Sequence, residues 1–104
     1  GVTTIQLREP DLATRDLAAL GRRLLAVTRG SRTTLLVNER LDVALAIGAD
    51  GVHLRGDGFD ASEVRAVAPA GFLVGRSVHT PAEARAAGPV DYLVAGTVWD
   101  TASK

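Results

Sequence analysis

Cysteine is absent from the chain, so neither a disulfide framework nor a thiolate metal site is open to it. An excess of one charge is absent too. Twelve Lys and Arg balance twelve Asp and Glu, leaving no long-range field for nucleic acid or an anionic membrane. The apolar runs are far too short to span a bilayer, and no signal peptide can be read. After the first apolar segment stands Arg8-Glu9-Pro10 instead of a glycine-rich turn, which disfavours a nicotinamide-binding sheet. No linker or low-complexity segment interrupts the sequence. These absences point to a cytoplasmic protein of small molecules, with neither a nucleic-acid nor a membrane partner.

Methionine is also missing, Gly1-Val2 opens almost within a strand, and Lys104 closes in a loop. By length the 104 residues suit one domain. They are expected to be a single incomplete domain, residues 1–104, internal to a longer protein.

What the sequence does contain is an alternation of strand and helix signals. Residues 2–7 are rich in β-branched side chains and read as a strand. Residues 11–28 read as a helix, with Leu17, Leu20, Leu24 and Val27 on one face, Thr14 as N-cap and Gly30 as stop. Strand 33–37, helix 41–47 closed by Gly48, and strand 51–54 follow. Asp60 and Glu63 have the spacing of a capping box for a helix to about residue 68. Strand 72–78 leads to Thr80-Pro81-Ala82-Glu83, a second box with proline at the first helical position, opening a helix that ends at Gly88. Residues 91–95 form the last strand. Buried strands joined by helical crossovers imply a parallel α/β sheet, either a TIM barrel or an open doubly wound sheet.

Each strand ends in polar residues, and ligands of such sheets sit at the carboxyl ends of strands. Gln6 and Arg8 lie two apart and share a face; the arginine fork suits a phosphate or a pyrimidine edge. Asn38-Glu39-Arg40 follows an apolar run and either orients a ligand or a hydrated Mg²⁺, or serves the start of the next helix. His53, between Val52 and Leu54, reads as a hydrogen-bonded core residue. Asp57, in the loop Arg55-Gly56-Asp57-Gly58, either reaches a metal or supports a turn. Ser77 and His79 share a face, where the imidazole suits acid–base work. In the loop from Gly96 to Lys104, Thr101, Ser103 and Lys104 offer hydroxyls and an ammonium able to cradle a phosphate, and Thr97 is a further substrate-binding candidate.

In this order, Gln6-Leu7-Arg8, Asn38-Glu39-Arg40, Gly51-Val52-His53-Leu54, Ser77-Val78-His79 and the loop from Gly96 to Lys104 resemble the thiamine phosphate synthase/TenI family over nearly the whole chain. The resemblance implies a partial TIM (β/α)8 barrel, with five parallel strands alternating with four helices, these being strands two to six. It implies a transferase joining a hydroxymethylpyrimidine pyrophosphate to a thiazole phosphate, with Mg²⁺ and release of pyrophosphate. Gln6 and Arg8 would hold the pyrimidine end, Asn38 the pyrophosphate, and Thr101, Ser103 and Lys104 the phosphate groups, with Thr97 also contacting substrate. Ser77 would face the reacting pyrimidine, and Glu39 with Asp57 would hold the metal; His79 is a second catalytic candidate through the face it shares with Ser77.

Three positions depart from the family pattern. Pro10 replaces a lysine, Glu39 a metal-binding aspartate, and Gly58 a second aspartate beside Asp57. Lost charged contacts of this kind predict a slow synthase. Gly75 to His79 and Asp100 resemble the TenI branch, a metal-free thiazole tautomerase, although Thr97 replaces its acid–base histidine. The alternatives are that isomerase or a catalytically silent homologue binding thiazole phosphate. The 104 residues alone are expected to be inactive.

Overall fold

In the computed structural model, residues 3–9, 11–56 and 58–96 are described. Strands β1 (Thr3–Leu7), β2 (Thr33–Asn38), β3 (Gly51–Leu54), β4 (Leu73–Val78) and β5 (Tyr92–Ala95) alternate with helices α1 (Thr14–Thr28), α2 (Leu41–Ile47), α3 (Ala61–Val67) and α4 (Pro81–Arg85). All neighbouring strands pair in parallel, in the order β1-β2-β3-β4-β5. There is no reversal of direction and hence no switch point, so the doubly wound alternative is excluded. The chain is a five-stranded segment of a TIM barrel. No helix among the described residues is long and apolar enough to cross a membrane.

Register assigns the two faces. Alternate residues of a strand point to opposite sides, and Leu7, Leu35, Val37, Val52, Leu54 and Val74 join one buried cluster with Leu17, Leu25, Val43, Ala44, Ala61 and Val64 of the helices. That is the outer face, where each fully buried Leu or Val contributes about 1.5–3 kcal/mol. The inner face carries Gln6, Leu36, Asn38, Gly51, His53, Leu73, Gly75, Ser77, Tyr92 and Val94, as the strand pairing requires.

An aspartate ties the foot of β3 and of β5 to the preceding strand in the same way. The Asp50 N–H donates to Leu35 O at 2.9 Å, and its carboxylate accepts from Leu35 N–H at 2.8 Å. The Asp91 N–H donates to Val74 O at 2.7 Å, and its carboxylate accepts from Val74 N–H at 2.8 Å. Arg65 adds a 2.7 Å bond to Asp91 and further bonds to Phe72 O and Pro89 O.

The Val74 N–H, then Arg65, hold the Asp91 carboxyl below the usual carboxylate range against the opposing effect of burial. A depressed folded-state pKa stabilises above the unfolded pKa and is lost as pH falls through the folded one. The Asp91→Asn variant is therefore expected to be less stable than wild type at neutral pH. The gap should close as pH falls below ~4, read as urea midpoints across a pH series. A gap independent of pH would contradict the assignment.

Two helices differ from expectation. Helix α1 begins at Thr14 with Ala13 as N-cap and no side-chain cap. A turn precedes it, with Leu12 N–H on Glu9 O at 3.3 Å, and the Thr14 hydroxyl instead accepts from Arg40 Nη2 at 2.7 Å. Its buried stripe is Leu17, Ala18, Gly21, Leu25 and Thr28. Val27 is 79% exposed, because α1 turns Gly21, not residue 27, toward Ile47 of α2. Helix α4 stops at Arg85 rather than Gly88 and buries none of its residues. The chain after it opens into a turn, with Val90 N–H on Gly88 O at 2.9 Å, that brings Asp91 beneath Val74.

Candidate functional site at the strand carboxyl ends

Asn38, His53, Gly75 and Tyr92 occupy one level across β2 to β5, with Ser77 the next inward residue of β4. The Tyr92 side chain lying directly over the Gly75 backbone makes glycine necessary here. A Cβ on Gly75 would sit within 2.5 Å of Tyr92 Cε2. Glycine thus leaves room for the Tyr92 ring to stack on His53, with centroids 5.8 Å apart and planes 28° apart.

His53 is only 3% exposed. Its Nε2 lies 2.7 Å from Ser77 Oγ and its Nδ1 3.2 Å from the Tyr92 hydroxyl. Burial lowers the imidazole pKa below its usual value, with Glu39 pulling weakly the other way. Burial, then Asp91, raises that of the Tyr92 phenol. Both groups are therefore neutral near pH 7.

Above this layer lies a cavity of ≈ 550 Å³, within the range of small-ligand sites. Arg8, Asn38, His53, Arg55, Ser77 and His79 line it. They come from the exit of β1, β2, β3, the loop after β3, β4 and the loop after β4. A second cavity of ≈ 210 Å³ adjoins it, sharing Arg8, Asn38 and Arg55 and adding Glu39.

Glu39 has a left-handed backbone, φ 66°, a conformation that costs a non-glycine residue about 1–3 kcal/mol. Its N–H donates to His53 O at 2.8 Å, and its carboxylate Oε2 accepts from Arg55 N–H at 2.7 Å. The twist turns the chain from β2 toward the loop after β3, so that a Cβ added at Gly58 would lie 2.9 Å from Oε2. A second clamp holds that loop from outside. The buried Arg76 guanidinium donates to Arg55 O at 2.8 Å, to Gly56 O at 3.3 Å and to Phe59 O. At the exit of β4, Thr80 caps α4 through Glu83 N–H, while Glu83 Oε1 accepts from His79 N–H at 2.6 Å.

Of the residues singled out in the sequence, Arg8, Asn38, Ser77 and His79 meet at the larger cavity, and Glu39 lines the smaller one. Gln6 is on the same inner face one level deeper, paired with Leu36, and lines neither cavity. Asp57, Thr97, Thr101, Ser103 and Lys104 lie outside the described residues. Among the described residues no group of three His, Asp or Glu side chains is placed to hold a metal.

Sequence reasoning read His53 as core. It is buried, yet it also borders the cavity and bonds Ser77. Strand parity with Asn38 and Ser77 was the signal available for it. Tyr92 and Arg76 gave no motif-level signal, since their partners are distant in sequence.

The profile of the family described as Thiamine monophosphate synthase matches residues 1–104. A thiamine-phosphate synthase of Solidesulfovibrio magneticus is 45% identical over 106 aligned residues, covering 100% of this chain and 50% of that protein. One from Haloarcula marismortui is 42% identical with the same coverage. The chain thus spans about half the length of these curated relatives. Among solved structures, a thiamine phosphate pyrophosphorylase from Pyrococcus furiosus superposes with a TM-score of 0.84 at 36% identity, over 98% of this chain and 51% of that one. Barrel segment, inward polar level and sequence likeness agree along the whole length, and the chain belongs to the thiamine monophosphate synthase family.

Proposed function

We propose that these residues form the strand-two-to-six part of a larger barrel that makes thiamine phosphate in the cytoplasm. Its substrates would be a hydroxymethylpyrimidine pyrophosphate and a thiazole phosphate. The thiazole nitrogen attacks the pyrimidinyl methylene carbon, the C–O bond to pyrophosphate breaks, and the electron pair leaves with pyrophosphate. The observation carrying this reading is that Arg8, Asn38 and Ser77, from three separate parts of the sheet, border one cavity. The family resemblance sets Arg8 at the pyrimidine end, but because it borders the same cavity as Asn38 we read it as reaching the leaving group as well, where a guanidinium fork and an amide stabilise charge that develops only as the bond breaks.

Glu39 fits a hydrated Mg²⁺ shared with pyrophosphate, because such ions commonly take only one or two protein carboxylates. Asp57 is its proposed partner. When bound there, the ion would neutralise charge on the leaving group. Gln6 would support the pyrimidine from the level below. Thr101, Ser103 and Lys104 would serve the phosphates, as the family resemblance implies, and Thr97 would contact substrate beside them.

The full-length protein, given both substrates and Mg²⁺, is expected to form thiamine phosphate and pyrophosphate. Chromatographic detection of both products, abolished by chelator, checks it. Absence of product would sink the synthase reading. A tautomerase remains the second reading because His79 borders the same cavity. It calls for metal-independent exchange of a thiazole carboxylate proton. Thiazole phosphate binding with neither activity would identify a silent homologue.

A further inference from the structure

The unassigned feature of the inner face is the chain Tyr92–His53–Ser77. A neutral imidazole has one donor and one acceptor nitrogen, so the two bonds of His53 must run in one direction. In one arrangement Tyr92 donates to Nδ1, Nε2–H donates to Ser77 Oγ, and the serine proton is left for the cavity. In the other, Ser77 donates to Nε2 and offers the cavity only lone pairs.

Two observations choose between them. A phenolic hydroxyl is more acidic than an aliphatic one and is the better donor to a bare imidazole nitrogen. Arg8 and Asn38 line the same cavity as Ser77 and suit an acceptor-rich ligand, while one oxygen of Glu83, the carboxylate in that lining, already accepts from His79 N–H at 2.6 Å. A serine donor completes that set, whereas a serine acceptor would compete with it.

We propose that His53 is a positioning residue held by Tyr92 in the Nε2–H tautomer, so that Ser77 presents its hydroxyl proton to an acceptor atom of the ligand. The buried ring does not touch the ligand's reacting atoms. It fixes the rotor of the hydroxyl that does. This rests on the cavity being the substrate site, but its first test reads the ligand-free protein and holds whether or not the enzyme is a synthase.

The test is a ¹⁵N imidazole spectrum of the full-length protein with the His53 signals assigned. A protonated Nε2 and a bare Nδ1 are expected. Ser77→Ala should keep Nδ1 bare, whereas Tyr92→Phe should move both nitrogens toward values of mixed tautomers. A protonated Nδ1 in the wild-type protein, or His53 signals unmoved by Tyr92→Phe, would overturn the proposal. Turnover supplies an independent arm. In His53→Gln an amide N–H can stand near the place of Nε2 and should keep kcat within roughly tenfold. In His53→Asn the amide is too short, and kcat should fall about 100-fold, the usual cost of misplacing a reacting partner by an ångström. Equal losses in the two variants would count against the proposed geometry.

Discussion

Replacing Gly51 with alanine is expected to destabilise the protein by about 3 kcal/mol or more, at or above the usual upper range for overpacking. Gly51 pairs with Leu73 between β3 and β4, in the middle of the sheet. An added Cβ would stand 2.7 Å from Leu73 Cβ and 2.8 Å from its carbonyl carbon, and it would press on the carbonyl oxygen as well. Backbone cannot rotate away as a side-chain end can. The strands must part, and parting them loosens the level above, where His53 and Gly75 are partners. Gly30→Ala is the control. No atom lies within 4 Å of that Cβ position, and only the positive φ of 81° is penalised, a cost of about 1 kcal/mol. Urea midpoints of full-length variants separate the two. A Gly51→Ala protein as stable as the Gly30→Ala one would show that the β3–β4 spacing is wrong.

The second large effect concerns turnover. Arg8→Ala is expected to lower kcat for thiamine phosphate formation by roughly 10²–10³, the usual loss for one preorganised donor to developing charge. On the proposed function, with Pro10 standing where the family resemblance implies a lysine, Arg8 would carry more of the neutralisation. Arg8→Lys should recover only part of the loss, since a point charge lacks the two-pronged fork. Arg8 is exposed, so the variants should unfold at nearly the wild-type urea concentration. An Arg8→Ala enzyme with unchanged kcat and raised KM would mean that the residue binds substrate without serving the departing group.

Much of the architecture could be read in the residues because local and global signals agreed. The apolar runs are short and separated by helix signals, and α2 and β3 fall where the sequence places them. The limits of α1 and α4 were hidden for one physical reason. Both are decided by tertiary contacts: Arg40 taking the Thr14 hydroxyl, and Asp91 taking the foot of β4. At the site, period-two spacing placed Ser77 with His79, and Arg8 with Gln6, on shared faces. Spacing along one strand cannot give depth in a barrel, which is set by stagger between strands. This is why Gln6 sits below the cavity and His53, one level up on a different strand, borders it. Tyr92 and Arg76 act across about 40 and 20 residues of sequence respectively, and their roles exist only once β3, β4 and β5 are side by side.

The most direct measurement is a crystal structure of the full-length protein with thiamine phosphate, pyrophosphate and Mg²⁺ bound. The expected result is pyrophosphate within hydrogen-bonding distance of Arg8 and Asn38, with the Ser77 hydroxyl on an acceptor of the pyrimidine moiety. Product seated elsewhere, with these three side chains facing only water, would contradict the convergence of strand ends on one phosphorylated heterocycle.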